Sequence, residues 1–163
     1  MVSALSFGAW RQVGYWRNDV TLFSHAAEVV PNNYLAHTML GIAWFRQEQW
    51  LPAENSLLQA LAIGPQHYAL TYLAKIAERQ QQPQQALAYY QQALETAPAY
   101  AVSDRVSILE NYAQLLITQQ QLPQARLQLQ ALLQLQPNHP LAPQALAQLN
   151  QFLEAQSKKS GSP

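Results

Sequence analysis

The sequence predicts an all-α protein, an α-solenoid built from antiparallel helix pairs. Three residue types with high helix propensity dominate its 163 residues, which include 25 Ala, 25 Leu and 25 Gln but only 5 Gly. Four prolines, at nearly regular intervals, each follow a stretch with periodic apolar residues: Pro31, Pro65, Pro98 and Pro137. The last of the three intervals is the longest. Self-similarity at a period of about 20–50 residues is typical of stacked repeats, in which each unit is too small to bury its own apolar face.

A second set of prolines divides each repeat into two helices, A and B. Pro52, Pro83 and Pro123 each precede a closing proline by the length of one short helix. Proline is tolerated in the first turn of a helix, because its missing N–H would have no partner there. The predicted A helices cover 34–47, 67–80 and 103–119, and the predicted B helices cover 52–63, 84–96 and 123–135.

Small residues recur at matching positions of the two helices. One column, on the A helices, consists of Gly41, Ala74 and Ala113, and the other, on the B helices, consists of Ala53, Ala86 and Ala125. The spacing between successive residues is the same in both columns. Because the side chains at a crossing set the distance between two helices, small residues allow close approach. We therefore predict that helix A crosses helix B at these columns in every repeat.

This pattern resembles the tetratricopeptide repeat (TPR). The stretch AHTMLGIAWFRQEQWLPAENSLLQALAIGP carries that family's Leu-Gly pair, aromatic residue, alanines and closing proline, and AYYQQALETAP matches a second helix B. The third repeat departs from the pattern, since Tyr112-Ala113 replaces Leu-Gly and Leu132 replaces the usual Ala. The resemblance implies a right-handed α-solenoid, the TPR superhelix, over 15–153. Its order is half repeat 15–33, repeats 34–66, 67–99 and 100–139, and capping helix 140–153. The polar tail 154–163 is expected to be disordered.

The N-terminal stretch 15–33, with its aromatic and basic front YWRND, is similar to a junction in multi-pass, glycosyltransferase-like membrane proteins. The transmembrane-and-tetratricopeptide-repeat family is one branch of these. The resemblance implies a membrane-associated bacterial protein, attached through residues upstream of the N-terminus, with the repeats on the extracytoplasmic (periplasmic) side. Arg11 and Arg17 favour the alternative cytoplasmic side. Segment 1–14 is then the end of a membrane helix or, on the other interpretation, a first amphipathic helix.

Composition and motifs exclude several classes of function. Only 11% of the residues are charged and the net charge is zero, so the basic stripe that nucleic-acid binding requires is missing. The absence of cysteine excludes disulfides and thiolate metal sites. The four histidines do not share a spacing that would direct two of them at one metal, and there is no phosphate-binding loop or nucleophile elbow. We expect no catalytic, cofactor-binding or metal-binding residues and therefore no enzyme.

What remains is a surface for a protein or peptide partner. In TPR arrays the A helices line a concave groove, and the helical period assigns eleven residues to it. These are Thr38, Ile42, Phe45, Arg46, Thr71, Lys75, Glu78, Arg79, Glu110, Gln114 and Ile117. Apolar Ile42 and Phe45 beside basic Arg46 favour an extended peptide with a carboxylate group. The Lys/Asn clamp with which some TPR domains bind chaperone C-termini is absent, because Thr38 and Ile42 occupy the corresponding places.

The predicted function is thus a non-catalytic protein–protein interaction scaffold. Two alternatives stay open. One is an accessory domain that positions acceptors for a membrane glycosyltransferase, and the other is a self-association module that forms a homo-oligomer through the edge helices of the array.

Overall fold

The computed structural model describes residues 18–30 and 32–160, with side chains up to residue 158, and these residues form eight helices and no strand. The predicted all-α helical repeat fold is confirmed. The helices are α1 (Asp19–Val29), α2 (Tyr34–Arg46), α3 (Trp50–Ile63), α4 (His67–Arg79), α5 (Pro83–Thr96), α6 (Val102–Thr118), α7 (Leu122–Leu135) and α8 (Ala142–Ser160). Segment 1–14 and the closing proline Pro31 lie outside the described residues.

The helices divide into two compact units with the boundary between Ile76 and Ala77, inside α4. Unit 1 contains α1 to α3 and most of α4, and its consecutive helices α1, α2 and α3 pack against one another. Unit 2 contains the end of α4 and helices α5 to α8, which also pack in chain order. Each unit therefore buries its apolar faces mainly between helices that are neighbours in sequence.

The ends of the six A and B helices, α2 to α7, follow the predicted positions within two residues. Among these six the largest difference is at α3, which begins at Trp50 rather than at Pro52, so that Pro52 occupies the third helical position. This position needs no N–H donor, because the first four N–H groups of a helix have no intrahelical acceptor. Asparagine begins the first two helices: Asn18 Oδ1 accepts from the Thr21 N–H at 2.9 Å and Asn33 Oδ1 from the Ala36 N–H at 3.0 Å.

Helices α2, α4 and α6 end in the same kind of turn. In each, one residue adopts a left-handed conformation with φ near 60°, and the N–H of the following residue bonds back to a carbonyl five residues earlier, as in a Schellman motif. The left-handed residues are Glu48, Gln81 and Gln120, which follow one another at the same intervals as the small-residue columns. The return bonds are Gln49 to Trp44 (3.0 Å), Gln82 to Ala77 (2.8 Å) and Gln121 to Leu116 (2.8 Å).

The small residues of the B-helix column are buried, and at Gly41 the structure shows the close helix approach that the sequence predicts. Ala53, Ala86 and Ala125 have no exposed surface. At Gly41 the approach is so close that an added Cβ would lie 2.6 Å from Leu57 Cγ and 3.1 Å from the Ala53 carbonyl oxygen. Glycine at position 41 is therefore required by the packing of α3 against α2.

The third repeat is longer than the second, and the structure shows where the additional residues lie. Helix α6 has 17 residues where α4 has 13, and the link before it (97–101) is also longer than the link before α4 (64–66). Arg105, in the added turn of α6, donates from Nη1 to the carbonyl oxygens of Leu94 (3.0 Å) and Ala97 (2.9 Å). The extension is thus fastened to the C-terminal end of α5.

The last helix extends beyond the predicted capping helix. We expected a helix over 140–153 and disorder over 154–163, whereas α8 continues to Ser160. Its last two turns contain Glu154, Ala155, Gln156 and Lys158, which have ordinary helix propensity and contain neither proline nor glycine. None of the helices in the described part of the chain is both long enough and apolar enough to cross a membrane.

Candidate functional site

In unit 1, three of the residues predicted to line a groove are buried. Thr38 and Thr71 are 3% and 8% exposed, and each hydroxyl donates to the carbonyl oxygen four residues earlier, at 2.8 Å and 2.7 Å. Ile42 is 7% exposed. These three side chains therefore offer a partner little surface, and the accessible part of the predicted site in this unit is Phe45, Arg46 and Lys75.

Phe45 belongs to an aromatic cluster at the end of α2. Its ring meets Trp50 edge-on at 5.3 Å between centroids and Tyr72 edge-on at 5.1 Å. Lys75 Nζ lies 5.3 Å from the centroid of the Tyr72 ring, within cation–π distance. All four side chains are half-buried, so the cluster presents aromatic edges and a cation at a surface that the fold already holds in place.

Arg46 is engaged with α1. Its Nη1 lies 3.3 Å from Asp19 Oδ2, and both side chains are more than half exposed. An exposed ion pair of this kind contributes roughly 0–1 kcal/mol, so it holds Arg46 weakly. Lys75, in contrast, has no carboxylate partner among the described residues of the chain.

In unit 2, Glu78 and Gln114 are brought together. They line a pocket of about 340 Å³ between the C-terminal ends of α4 and α6. The other lining residues are Gln81, Pro83, Leu115, Thr118 and Gln119. Arg79 is exposed and Ile117 is half-buried, and neither lines this pocket.

A buried tyrosine, Tyr90, forms a hydrogen bond with the Glu78 carboxylate from the core of unit 2. The Tyr90 hydroxyl donates to Glu78 Oε1 at 2.5 Å, and the Tyr90 side chain has no exposed surface. Burial raises the pKa of Tyr90 far above its usual value, and the bond to Glu78 raises it further, so the hydroxyl keeps its proton and remains a donor. The Tyr112 ring stacks on the Tyr90 ring, with 6.1 Å between the ring centroids. Burial raises the pKa of Tyr112, and the negative charge of Glu95 makes a smaller contribution in the same direction.

Glu110 lies apart from this pocket. Its Oε1 is 3.8 Å from Nε2 of His139, which is 8% exposed. Nδ1 of His139 accepts from the N–H groups of Leu141 (3.3 Å) and Ala142 (3.1 Å), so His139 caps the start of α8. Glu110 thus faces the α7–α8 junction, beside this capping histidine.

Sequence reasoning did not assign Trp50, Tyr72 or Tyr90 to a site, although it predicted Tyr90 as a core side chain of the second repeat. Tyr90 carried a usable signal, because it takes the place of Leu57 in the core column of the next repeat, where a buried phenol needs a hydrogen-bond acceptor. Trp50 and Tyr72 carried no such signal, since their contact with Phe45 depends on how three helices meet. No group of three metal-ligating side chains occurs within 18–30 and 32–158.

Comparison with known proteins identifies the repeat. Residues 67–100 match the family model of the tetratricopeptide repeat, and no curated protein sequence matches the chain significantly. Pseudomonas aeruginosa PilF is similar in structure, at 18% identity and a TM-score of 0.71 over 93% of this chain and 67% of PilF. MamA is similar at 15% identity and a TM-score of 0.70, over 93% of this chain and 95% of MamA.

A third solved structure contains a ligand. The first TPR domain of Spaghetti (RPAP3), bound to the HSP90 peptide SRMEEVD, is 19% identical and has a TM-score of 0.62, over 74% of this chain and 95% of that domain. At these identities the structural likeness establishes the fold. The chain therefore has a TPR-like helical repeat fold in which residues 67–100 form a recognisable repeat.

Proposed function

We propose that this chain is a non-catalytic scaffold that binds an extended segment of a partner protein at the aromatic cluster of unit 1. The observation that carries the proposal is the half-buried set Phe45, Trp50 and Tyr72 beside Lys75, which has no carboxylate partner among the described residues. The TPR domain of Spaghetti, solved with a bound peptide, supports a peptide-binding role for this fold.

The chemistry of the cluster defines the segment that it would bind. Aromatic edges favour an apolar or aromatic side chain, and the Lys75 ammonium favours a carboxylate next to it. Because the helices hold these groups before binding, the partner loses conformational entropy while the scaffold loses little. Because Thr38 and Ile42 are buried, the site that we propose lies at the C-terminal end of α2 rather than along its whole length.

A peptide-display selection on the immobilised protein tests the proposal. We expect enriched peptides to carry an Asp or Glu next to an aromatic or aliphatic residue. Lys75→Glu should weaken binding of such a peptide by about tenfold or more, the size of a charge-assisted hydrogen bond. Lys158→Glu is the matched control, since it makes the same charge change on α8, and it should leave the affinity unchanged.

Two results would overturn the proposal. One is a selection without acidic residues, and the other is an acidic peptide whose affinity is the same for Lys75→Glu and the parent protein. The SRMEEVD peptide is a useful comparison, because it carries acidic residues next to Val while Thr38 and Ile42 replace the clamp residues here. We therefore expect any binding of this peptide to depend on Lys75. Thermal melting of each variant shows that it is folded.

We further propose that the scaffold is the extracytoplasmic part of a bacterial membrane protein, attached through residues upstream of its N-terminus. The resemblance of 15–33 to a junction in glycosyltransferase-like membrane proteins supports this proposal and also the accessory-domain alternative. Alkaline phosphatase fused after the repeats of the full-length parent should be active if they lie in the periplasm. An inactive fusion would favour the cytoplasmic side.

Self-association is a second candidate, favoured by the exposed apolar residues around α8. Leu141 is 64% exposed and Phe152 is 49% exposed, whereas Leu149 is buried against the rest of unit 2. Phe152→Glu should therefore abolish a concentration-dependent increase in mass measured by light scattering. A mass equal to the monomer at all concentrations would rule this candidate out.

A further inference from the structure

The pocket of unit 2 has a chemical character different from that of the aromatic cluster. It has a volume of about 340 Å³, at the lower end of the range for small-molecule sites, about 300–1,000 Å³. A pocket of this size suits one or two side chains of a bound segment rather than a large cofactor. The question is which side chain its lining residues would bind.

The charge of the pocket is negative. Glu78 is the ionisable residue among those that line it. Tyr90 donates to Oε1 from the buried side, and among the described residues no side chain or backbone group donates to Oε2, which leaves it free to accept a further hydrogen bond. A carboxylate positioned in this way needs no reorganisation before it binds a cation.

The helix ends around the pocket add to this preference. Glu78 lies in the last turn of α4 and Gln81 just after it, whereas Leu115 and Thr118 lie in the last turn of α6 and Gln119 is its C-cap. Helix C-termini carry partial negative charge and favour cations. One helix start, at Pro83 of α5, also borders the pocket, so two negative ends face one positive end.

The remaining lining groups match a long side chain with a polar head. Leu115 and Pro83 form an apolar wall along which methylene groups can lie. The Thr118 hydroxyl donates to the Gln114 carbonyl oxygen at 3.0 Å, so its lone pairs remain available as acceptors. The side-chain amides of Gln81, Gln114 and Gln119 supply further carbonyl acceptors.

We infer that this pocket binds an arginine side chain of a partner segment. The planar guanidinium has five N–H donors, which suits one fixed carboxylate surrounded by amide and hydroxyl acceptors better than the single ammonium of lysine does. The inference rests on the proposed scaffold function and adds a second, oppositely charged recognition site to it. Unit 1 selects a carboxylate, and unit 2 selects a guanidinium.

NMR titration of the isotopically labelled full chain tests this inference. The probe is the peptide acetyl-AARAA-amide, and the control probe is the same peptide with citrulline, which keeps the shape of arginine but has no charge. We expect the arginine peptide to shift the amide signals of Gln81, Gln114, Thr118 and Gln119, and to do so less at high salt. The citrulline peptide should bind at least about tenfold more weakly.

Variants connect the signal to the carboxylate. Glu78→Gln should weaken binding of the arginine peptide by about tenfold, and Glu154→Gln, the same change on α8, should have no effect. Tyr90→Phe keeps the buried ring but removes the donor to Oε1, so it should give a smaller loss. Melting curves establish that each variant is folded before titration.

Three results would overturn the inference: no shifts at the pocket, equal binding of the citrulline peptide, or an affinity that Glu78→Gln does not change. Each differs from a failure of the proposed function. An acidic peptide that still depends on Lys75 would leave the scaffold function in place and remove only the arginine site.

Discussion

The helix pairs α2–α3 and α6–α7 are the A and B helices of two different repeats, and they have different side chains at equivalent positions. In the first pair Gly41 faces Leu57, and an added methyl group would overlap the leucine. In the second pair the corresponding residues are Ala113 and Leu129, and Ala113 keeps its methyl group at 1% exposure. The comparison teaches that both positions hold a small buried residue, and that the first crossing leaves no room even for a methyl group.

The largest effect is expected from removing the leucine at each crossing. Leu57→Ala should lower the free energy of unfolding by about 2–5 kcal/mol, because it leaves a cavity beside a glycine that cannot fill it. Leu129→Ala should cost less, since Ala113 already places a methyl group at its crossing and Leu129 is 5% exposed while Leu57 is fully buried. Urea denaturation of both variants measures the difference, and equal losses would contradict the comparison.

Adding the methyl group at the first crossing is expected to have the next largest effect. Gly41→Ala should cost about 1–3 kcal/mol through overpacking against Leu57, partly offset by the better helix propensity of alanine. In the Leu57→Ala background the same change should be neutral or stabilising, because the methyl group then occupies free space. A double-mutant cycle checks this coupling, and additive effects would show that residues 41 and 57 do not meet as described.

Helix α5 differs from α3 and α7 by a titratable core residue, since Tyr90 takes the place of Leu57 and Leu129. The pKa of Tyr90 is raised in the folded protein, so above pH 10, the usual value for tyrosine, the unfolded chain loses a proton that the folded chain keeps. The raised pKa of Tyr90 therefore leaves the free energy of unfolding unchanged below pH 10. Above pH 10 that free energy should fall by about 1.4 kcal/mol per pH unit. Urea midpoints at pH 9 to 11 measure this loss.

Substitutions separate Tyr90 from the other tyrosines. Tyr90→Phe should remove much of the alkaline loss, at the cost of about 1 kcal/mol at neutral pH for the hydrogen bond to Glu78. Tyr100→Phe is the matched control, because it removes the same hydroxyl group from a side chain that is 88% exposed. An alkaline loss that is the same in Tyr90→Phe would contradict the assignment.

The smallest effect concerns the left-handed turn residues, which both units share. Gln120→Gly should stabilise the protein by up to about 1 kcal/mol, because glycine removes the steric cost of φ near 58° but adds entropy to the unfolded chain. Gln119→Gly, at the neighbouring residue with φ of −84°, should instead destabilise it. Glu48→Gly and Gln47→Gly repeat the test in unit 1. Opposite signs within each pair are the expected result of thermal melting.

The repeat could be predicted from the sequence because its period is marked by proline and by small residues, whose positions depend on local helix geometry. Proline marks first turns and ends, and small residues mark crossings, so Pro83, Pro123 and the alanine columns were sufficient to place six helices. The sequence could not predict the end of α8, because residues 154–160 are polar but still compatible with a helix. The helical period predicts which face of a helix a side chain occupies, but not how deeply neighbouring helices bury it. For this reason Thr38 and Ile42 were assigned to an exposed surface although they are buried.

The candidate sites depend more on tertiary contacts. Phe45, Lys75, Glu78 and Gln114 were predicted as site residues from their helical positions alone. Their chemistry comes from partners on other helices, such as Tyr72 for Phe45 and Tyr90 for Glu78. Such partners follow from helix packing, which sequence periodicity does not specify.

The added turn of α6 has a consequence for how this chain can be altered. Its extra residues enter before the crossing at Ala113, and Arg105 anchors them to the preceding helix, so length and packing register vary independently. An insertion upstream of a crossing thereby works as a spacer that leaves the downstream contacts intact. Longer or shorter A helices could be grafted into this protein at that end, with an arginine to secure each graft.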